Sequence, residues 1–150
     1  MRKIFLISML SLFIFCSTGY TELIDNGDGT VTDTKTGLMW QKEEVRIMTW
    51  KEALAYSDTF VLAGHSDWRL PDLNELKSIA DYIGDNPSIY RTIFPNSTSN
   101  NYWSSNTNDD ATDYAWTVFC KPGEVYAQPG EVYSTDKKNG QGVRVVRGGQ

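Results

Sequence analysis

The sequence predicts an α+β domain in which two helices flank a mixed, mainly antiparallel sheet with long loops. Three observations carry that expectation. Two stretches, starting at Thr49 and Asp72, open with capping boxes and continue with apolar residues at helical spacing. Short alternating runs of Val, Tyr, Trp and Thr lie before and after them, separated by Gly and Pro turns. Between the helices and the later runs, residues 85–101 are polar and without period.

The chain begins "MRKIFLISMLSLFIFCSTGY". Arg2 and Lys3 form a basic n-region and Ile4 to Phe15 an apolar h-region, the pattern of a secretory signal peptide. Ser17 and Gly19 set a cut before Tyr20, so residues 1–19 are read as the signal and 20–150 as one domain. A lipoprotein cut before Cys16 is the competing reading, disfavoured because Phe15 stands where a small residue is wanted. The apolar run is shorter than the ~20 residues of a spanning helix.

"DNGDGTVTDTKTGLMW", from Asp25 to Trp40, is acidic enough to raise the question of calcium. A calcium loop needs side-chain oxygens at positions 1, 3 and 5, then a Gly and a late Glu. From Asp25, positions 3 and 5 are Gly27 and Gly29; from Asn26, Val31 takes the Gly place. Neither register works. Asn-Gly and Asp-Gly instead mark hairpin turns, with "TVTD" and "LMWQ" as strands.

In "MTWKEALAYSDTFVLAG", Thr49 caps and Glu52 completes the box. Trp50, Ala53, Leu54, Ser57, Val61 and Leu62 share a face, and Ala63-Gly64 ends the helix. In "SDWRLPDLNELKSIADYIG", Trp68 to Leu70 is extended before Pro71, and Asp72 caps with Glu75. Leu73, Leu76, Ile79, Ala80 and Ile83 form the stripe, and Gly84 stops it. The stretch 85–101 reads as a long loop anchored by Ile89, Ile93 and Phe94. The remainder reads as β, and it holds a short duplication, "PGEVYA" then "PGEVYS". Either each copy adds a turn and a strand, or the repeat lengthens one loop and leaves a single strand. The second is favoured, since Val-Tyr is too short to stand alone.

After the signal leaves, about 130 residues remain, enough to bury about two-thirds of the unfolded surface. The formal charge of −5 becomes −7 without Arg2 and Lys3, a balance unsuited to nucleic acid. A local basic patch at Lys137, Lys138, Arg144 and Arg147 is the exception. Cys120, left alone, reads as a buried small hydrophobe, with intermolecular pairing as the alternative.

Segments "DNGDGTVTDTKTGLMWQ", "WKEALAY", "LAGHSDWRLPDLNELKSI", "FPNS" with "YWSS", and "VRVVRG" occur in that order. Together they resemble the family of the Legionella collagen-like adhesin C-terminal domain, from Ile24 to Gly148. The resemblance implies export and a C-type-lectin-like fold, related to that of formylglycine-generating enzymes. In such a fold the first and last strands pair and long loops carry the binding surface. It also implies a disulfide between the positions of Ser57 and Val145, where many relatives carry cysteines. Both are absent here, which withholds roughly 2–4 kcal/mol of cross-link stabilisation. The adhesin's attachment to sulfated polysaccharides implies a basic surface.

Catalytic groups are scarce. His65 is the sole histidine and reads as a loop residue; no Gly-x-Ser-x-Gly elbow occurs, and zinc lacks ligands. One cysteine does not fit formylglycine chemistry. Asp109, Asp110 and Asp113 could hold a weak calcium ion or form a solvated loop, and the sequence favours the second. Gln128-Pro129-Gly130 lacks the acid or carboxamide that calcium-dependent lectins use. The expectation is therefore no enzyme, no cofactor and no metal. Trp40, Trp50, Trp68 and Trp103 lie in framework motifs and read as core. Tyr114, Tyr126 and Tyr133, with Lys121, Lys137, Lys138 and Arg144, are the ligand-binding candidates, and Arg91 is a further cation. Because Arg144 and Arg147 alternate with valines, at least one could be a structural partner instead. The function expected is exported, adhesin-like recognition of a polysaccharide or other surface molecule. The alternative is a protein-interaction or homo-oligomeric envelope module without sugar affinity.

Overall fold

The computed structural model describes residues 22–45 and 47–148; the expected signal peptide and Cys16 lie outside the described residues. Seven strands and three helices occur among them: β1 (Leu23–Asp25), β2 (Thr30–Asp33), β3 (Met39–Gln41), α1 (Trp50–Thr59), α2 (Leu73–Asp85), α3 (Pro87–Ile93), β4 (Asn101–Thr107), β5 (Tyr114–Phe119), β6 (Val132–Asp136) and β7 (Val146–Arg147). The fold is α+β, as expected, with no helix long and apolar enough to cross a membrane among the described residues. Two sheets replace the expected single one: β1-β2-β3-β7 and β4-β5-β6, all antiparallel. The last strand pairs with β3, not with the first strand, which takes the opposite edge.

The acidic N-terminal run is a pair of turns. Asp25 accepts from the Gly27 N–H, Asp28 from the Thr30 N–H, and Asp33 from the Lys35 N–H. Gly29, at φ 88°, takes the left-handed conformation that closes the first hairpin. These carboxylates are spent on their own backbone, which is why an acidic stretch here makes a hairpin.

Both capping boxes form. Glu52 accepts from the Thr49 N–H at 2.9 Å, and Glu75 from the Asp72 N–H at 2.8 Å. Glu75 also receives both arms of Arg69 at 2.7 Å, which ties α2 to the extended stretch before it. The first helix ends at Thr59 rather than at Gly64. Phe60 leaves in an extended conformation and packs edge-on against Trp68, with ring centroids 5.7 Å apart. Val61 is left exposed, and the half-buried Phe60 ring makes its contact with Trp68 in place of a further helical turn.

The stretch 85–101 is not a continuous loop. Pro87, pre-set for a helical φ, starts α3. Tyr90, Ile93 and Phe94 are buried against the core over α2, and that docking supplies what local periodicity lacked. In the duplication, the first copy is loop and the second forms β6, so the single-strand reading holds. Trp40, Trp68 and Trp103 are buried as expected, while Trp50 is half-buried and donates to the Ser104 carbonyl.

The terminal segment stitches the sheets together. Gly142 exchanges bonds with β4, accepting from the Trp103 N–H and donating to the Asn101 carbonyl. Val145 accepts from the Gln41 N–H, and Val146 pairs with Trp40 and Arg69. Between them, Arg144 is buried at 5 % exposure. Its guanidinium donates to the carbonyls of Gln41 (2.7 Å) and Lys42 and to the Ser97 hydroxyl, and it stacks 4.1 Å from the Phe94 ring centroid. Arg147 instead pairs with Asp67 at 2.7 Å.

Arg144→Met leaves two carbonyls without their donor and is expected to cost roughly 2–4 kcal/mol in denaturant unfolding. A variant as stable as the parent refutes the strut role. Ser57 and Val145 are both buried, and the Gln41 side chain bridges the Val145 N–H (3.4 Å) to the Tyr56 hydroxyl (3.2 Å) beside Ser57. The pair Ser57→Cys and Val145→Cys is expected to oxidise and add roughly 2–4 kcal/mol. Thiol titration that finds both cysteines free under air counts against that pairing.

Candidate ligand-binding surface

The expected binding residues fall into two groups at opposite ends of the second sheet, with Arg144 apart from both. Tyr114 pairs with Asp136 at one end of β5 and β6, and Val118 with Val132 at the other. Four strand steps, roughly 13 Å, separate the ends.

At the first end, Tyr114 is partly exposed. Lys137 donates to Thr107 Oγ1 at 2.9 Å and the Thr112 carbonyl at 2.7 Å, and its ammonium lies 4.2 Å from the Trp50 ring centroid. Its charge holds the β4–β5 loop closed rather than facing outward. Lys138 is exposed, and among the described residues its side chain has no partner. Asp109, Asp110 and Asp113 sit in the loop between β4 and β5, and no group of three acidic, His or Cys residues is placed to hold a metal among the described residues.

At the other end, the loop after β5 and the start of β6 expose apolar side chains. Val125 is 99 % exposed and Tyr126 65 %, with Val132 and Tyr133 at 37 % and 39 %. Tyr126 packs edge-on against Phe119, at 6.1 Å between centroids, and its hydroxyl accepts from Asn100 Nδ2 at 3.0 Å. The Tyr133 hydroxyl donates to Glu131 at 2.6 Å, and that bond pushes the Tyr133 phenol up. Lys121 pairs with Glu124 at 2.7 Å, which raises its ammonium. The structure thus brings Lys121, Tyr126 and Tyr133 to one edge.

Arg144 is a correction. Its place among the C-terminal cations put it on the basic patch, but it lies inside, bonded to backbone carbonyls, as the alternation with valines had allowed for one of the two arginines. Position in a β run says which side a residue faces, not whether that side is covered by another segment. Here Phe94 and Tyr102 cover it.

A feature unread in the sequence adjoins Tyr126. A groove of about 310 Å3 is lined by Ile47, Thr98, Ser99, Asn100, Asn101, Gly140, Gln141 and Gly142. Its residues come from three distant segments, and only the density of Ser and Asn in 97–101 could have hinted at it. Behind it, Glu44 accepts from the N–H groups of Thr98 (2.6 Å) and Ser99 (3.1 Å), the Ser99 hydroxyl and the Tyr102 hydroxyl (2.8 Å). Burial pushes the Glu44 carboxyl up, but the bonds from Ser99 and Tyr102 outweigh it and hold it below its ordinary value.

His65 sits in the turn after α1, where its backbone exchanges bonds with Leu62. Cys120 is buried, and burial pushes its thiol up to about 12, so it stays protonated at neutral pH.

A family model described as the Lcl C-terminal domain matches residues 29–147. A comparison with curated proteins found no match.

Glu44 links loop order to pH. Its folded value is lowered, so its stabilisation is full above about 4.5 and is lost as the pH falls through the folded value. Glu44→Gln is expected to melt below the parent at pH 7, with the gap closing as the pH falls below the ordinary glutamate range. A gap that persists unchanged at low pH refutes the ionised brace.

Proposed function

The chain belongs to the Lcl C-terminal domain family, and from that premise we propose that it is an exported, non-catalytic recognition domain that binds a glycan through its late loops. Membership associates it with an adhesin-type domain. The basic n-region and apolar stretch at its N-terminus support export. A lone histidine and a buried, protonated cysteine support a role without chemistry on the ligand.

The observation that carries the reading is the exposed apolar edge of Val125, Tyr126, Val132 and Tyr133 beside a polar groove. A tyrosine ring can cover the apolar face of a sugar while neighbouring amides bond its hydroxyls. Asn100, bonded to the Tyr126 hydroxyl, joins the two surfaces. Sulfated ligands are poorly matched. Lys121 and Lys137 are engaged, Arg144 is buried and the chain carries −5.

One feature favours the protein-interaction reading. β6 is an outer strand, and Val132, Tyr133 and Ser134 on it are exposed. Such an edge can template pairing with a second chain. Light scattering at several concentrations separates the readings, because self-association raises the mass with concentration.

On a glycan array, the parent is expected to bind a subset of sugars. Tyr126→Ala with Tyr133→Ala is expected to weaken that binding about tenfold or more, a loss of ~1.4 kcal/mol, without lowering the melting temperature. An array flat for the parent overturns glycan recognition.

A further inference from the structure

The chain holds two Asn-Gly steps, Asn26-Gly27 and Asn139-Gly140. We propose that Asn139-Gly140 is a self-modifying site, which turns into aspartyl or isoaspartyl in the folded chain, while the fold holds Asn26-Gly27 unreactive. The co-reactant is water, and no ligand or second protein is needed.

The reaction is an attack by the glycine amide nitrogen on the side-chain carbonyl carbon of the asparagine before it. Solvent base takes the proton from that nitrogen. A bond forms between the nitrogen and Cγ, which closes a five-membered succinimide. The bond from Cγ to the side-chain nitrogen breaks, and ammonia leaves with the proton returned to it. Water then opens the ring. Attack at the side-chain carbonyl gives an aspartate. Attack at the main-chain carbonyl leaves the chain running through Cγ, an isoaspartyl link. Nothing is oxidised or reduced. Glycine suits the step because no Cβ crowds the attacking nitrogen.

The two steps are equally exposed, so accessibility does not separate them. Their hydrogen bonds do. Asn26 Nδ2 donates to Thr30 Oγ1 at 2.8 Å and to Thr32 Oγ1 at 2.9 Å, which pins the carboxamide over β2. The Gly27 N–H donates to Asp25 Oδ1 at 3.0 Å. A nitrogen that lost this proton would face a carboxylate, and like charges oppose it. The ring cannot close here until all three bonds open.

Asn139 lies in the turn after β6, held by one backbone bond from its N–H to the Asp136 carbonyl at 2.9 Å. Among the described residues, neither its carboxamide nor the Gly140 N–H has a hydrogen-bond partner. Lys137 and Lys138 come just before it, and their charge favours an anionic amide nitrogen. Both reacting groups are therefore free, and the local field assists the proton loss.

Conversion puts a carboxylate beside the exposed Lys138. The isoaspartyl form also adds a backbone carbon ahead of Gln141, whose backbone exchanges two bonds with Met48. Because ammonia leaves, the change runs one way, and the converted fraction rises with the age of the chain.

The test incubates the purified chain at mildly alkaline pH, folded and in urea, and follows both sites by peptide mapping with mass detection of amide-to-acid conversion. In the folded chain Asn139 is expected to convert about tenfold or more faster than Asn26, which has three bonds to break. The rate at Asn139 is expected to rise with pH. In urea the two rates are expected to converge, because the bonds around Asn26 are gone. Asn139→Gln, whose longer side chain does not close the five-membered ring, is expected to stop conversion at that site. Asp25→Ala with Thr32→Val is expected to speed conversion at Asn26, and the urea comparison decides the matter should that variant fail to fold. A folded chain that keeps its Asn139 amide as long as its Asn26 amide overturns the proposal. A lead for Asn139 that is as large in urea assigns the difference to neighbouring sequence and overturns it as well.

Discussion

The buried guanidinium of Arg144 is the constraint on which the rest depends. A charge removed from water without a carboxylate partner costs several kcal/mol unless dipoles replace its hydration. Here the replacements are two backbone carbonyls at the end of β3, one hydroxyl after α3, and the faces of Phe94 and Tyr102. Cation–π contacts contribute about 2 kcal/mol when desolvated. These contacts join the end of the first sheet, the segment after α3 and the start of β4. The strut therefore sets where residues 97–101 begin, and with them one wall of the groove.

From that strut outward, the molecule divides its polar groups by task. Those near the scaffold are spent inside: Glu44 on the 98–99 backbone, Arg69 on Glu75, Arg147 on Asp67, Lys137 on the β4–β5 loop. What stays available at the loop edge is aromatic or uncharged. Resemblance to an adhesin of sulfated polysaccharides led to an expectation of a basic face. Of the cations expected to form that face, Lys121, Lys137 and Arg144 are absorbed by contacts within the chain, while Lys138 stays exposed. A family's scaffold can persist while the charge on its loops, which the scaffold does not need, goes elsewhere.

How much could be read in advance depends on the range of the interaction involved. Thr49 with Glu52, and Asp72 with Glu75, declare their helices because the bonded partners are three residues apart. The Asp25–Thr30 turn is equally local, its carboxylates bonding N–H groups two residues on. The core tryptophans follow from burial alone. The miss at 85–101 has the opposite cause. A helix of seven residues is too short to hold itself, so α3 exists because Tyr90, Ile93 and Phe94 find a core to enter.

The sequence by itself determined the α+β class, both capped helices, the N-terminal hairpin and the single strand left by the duplicated Pro-Gly-Glu-Val-Tyr. Each rests on contacts within a few residues. Tertiary structure alone decided that β7 joins β3, that the strands form two sheets, that Arg144 is interior, and that Asn101, Gln141 and Ile47 meet across a groove. Those outcomes depend on which distant surfaces bury one another. Hydrophobic burial is non-directional, so no local pattern can specify them.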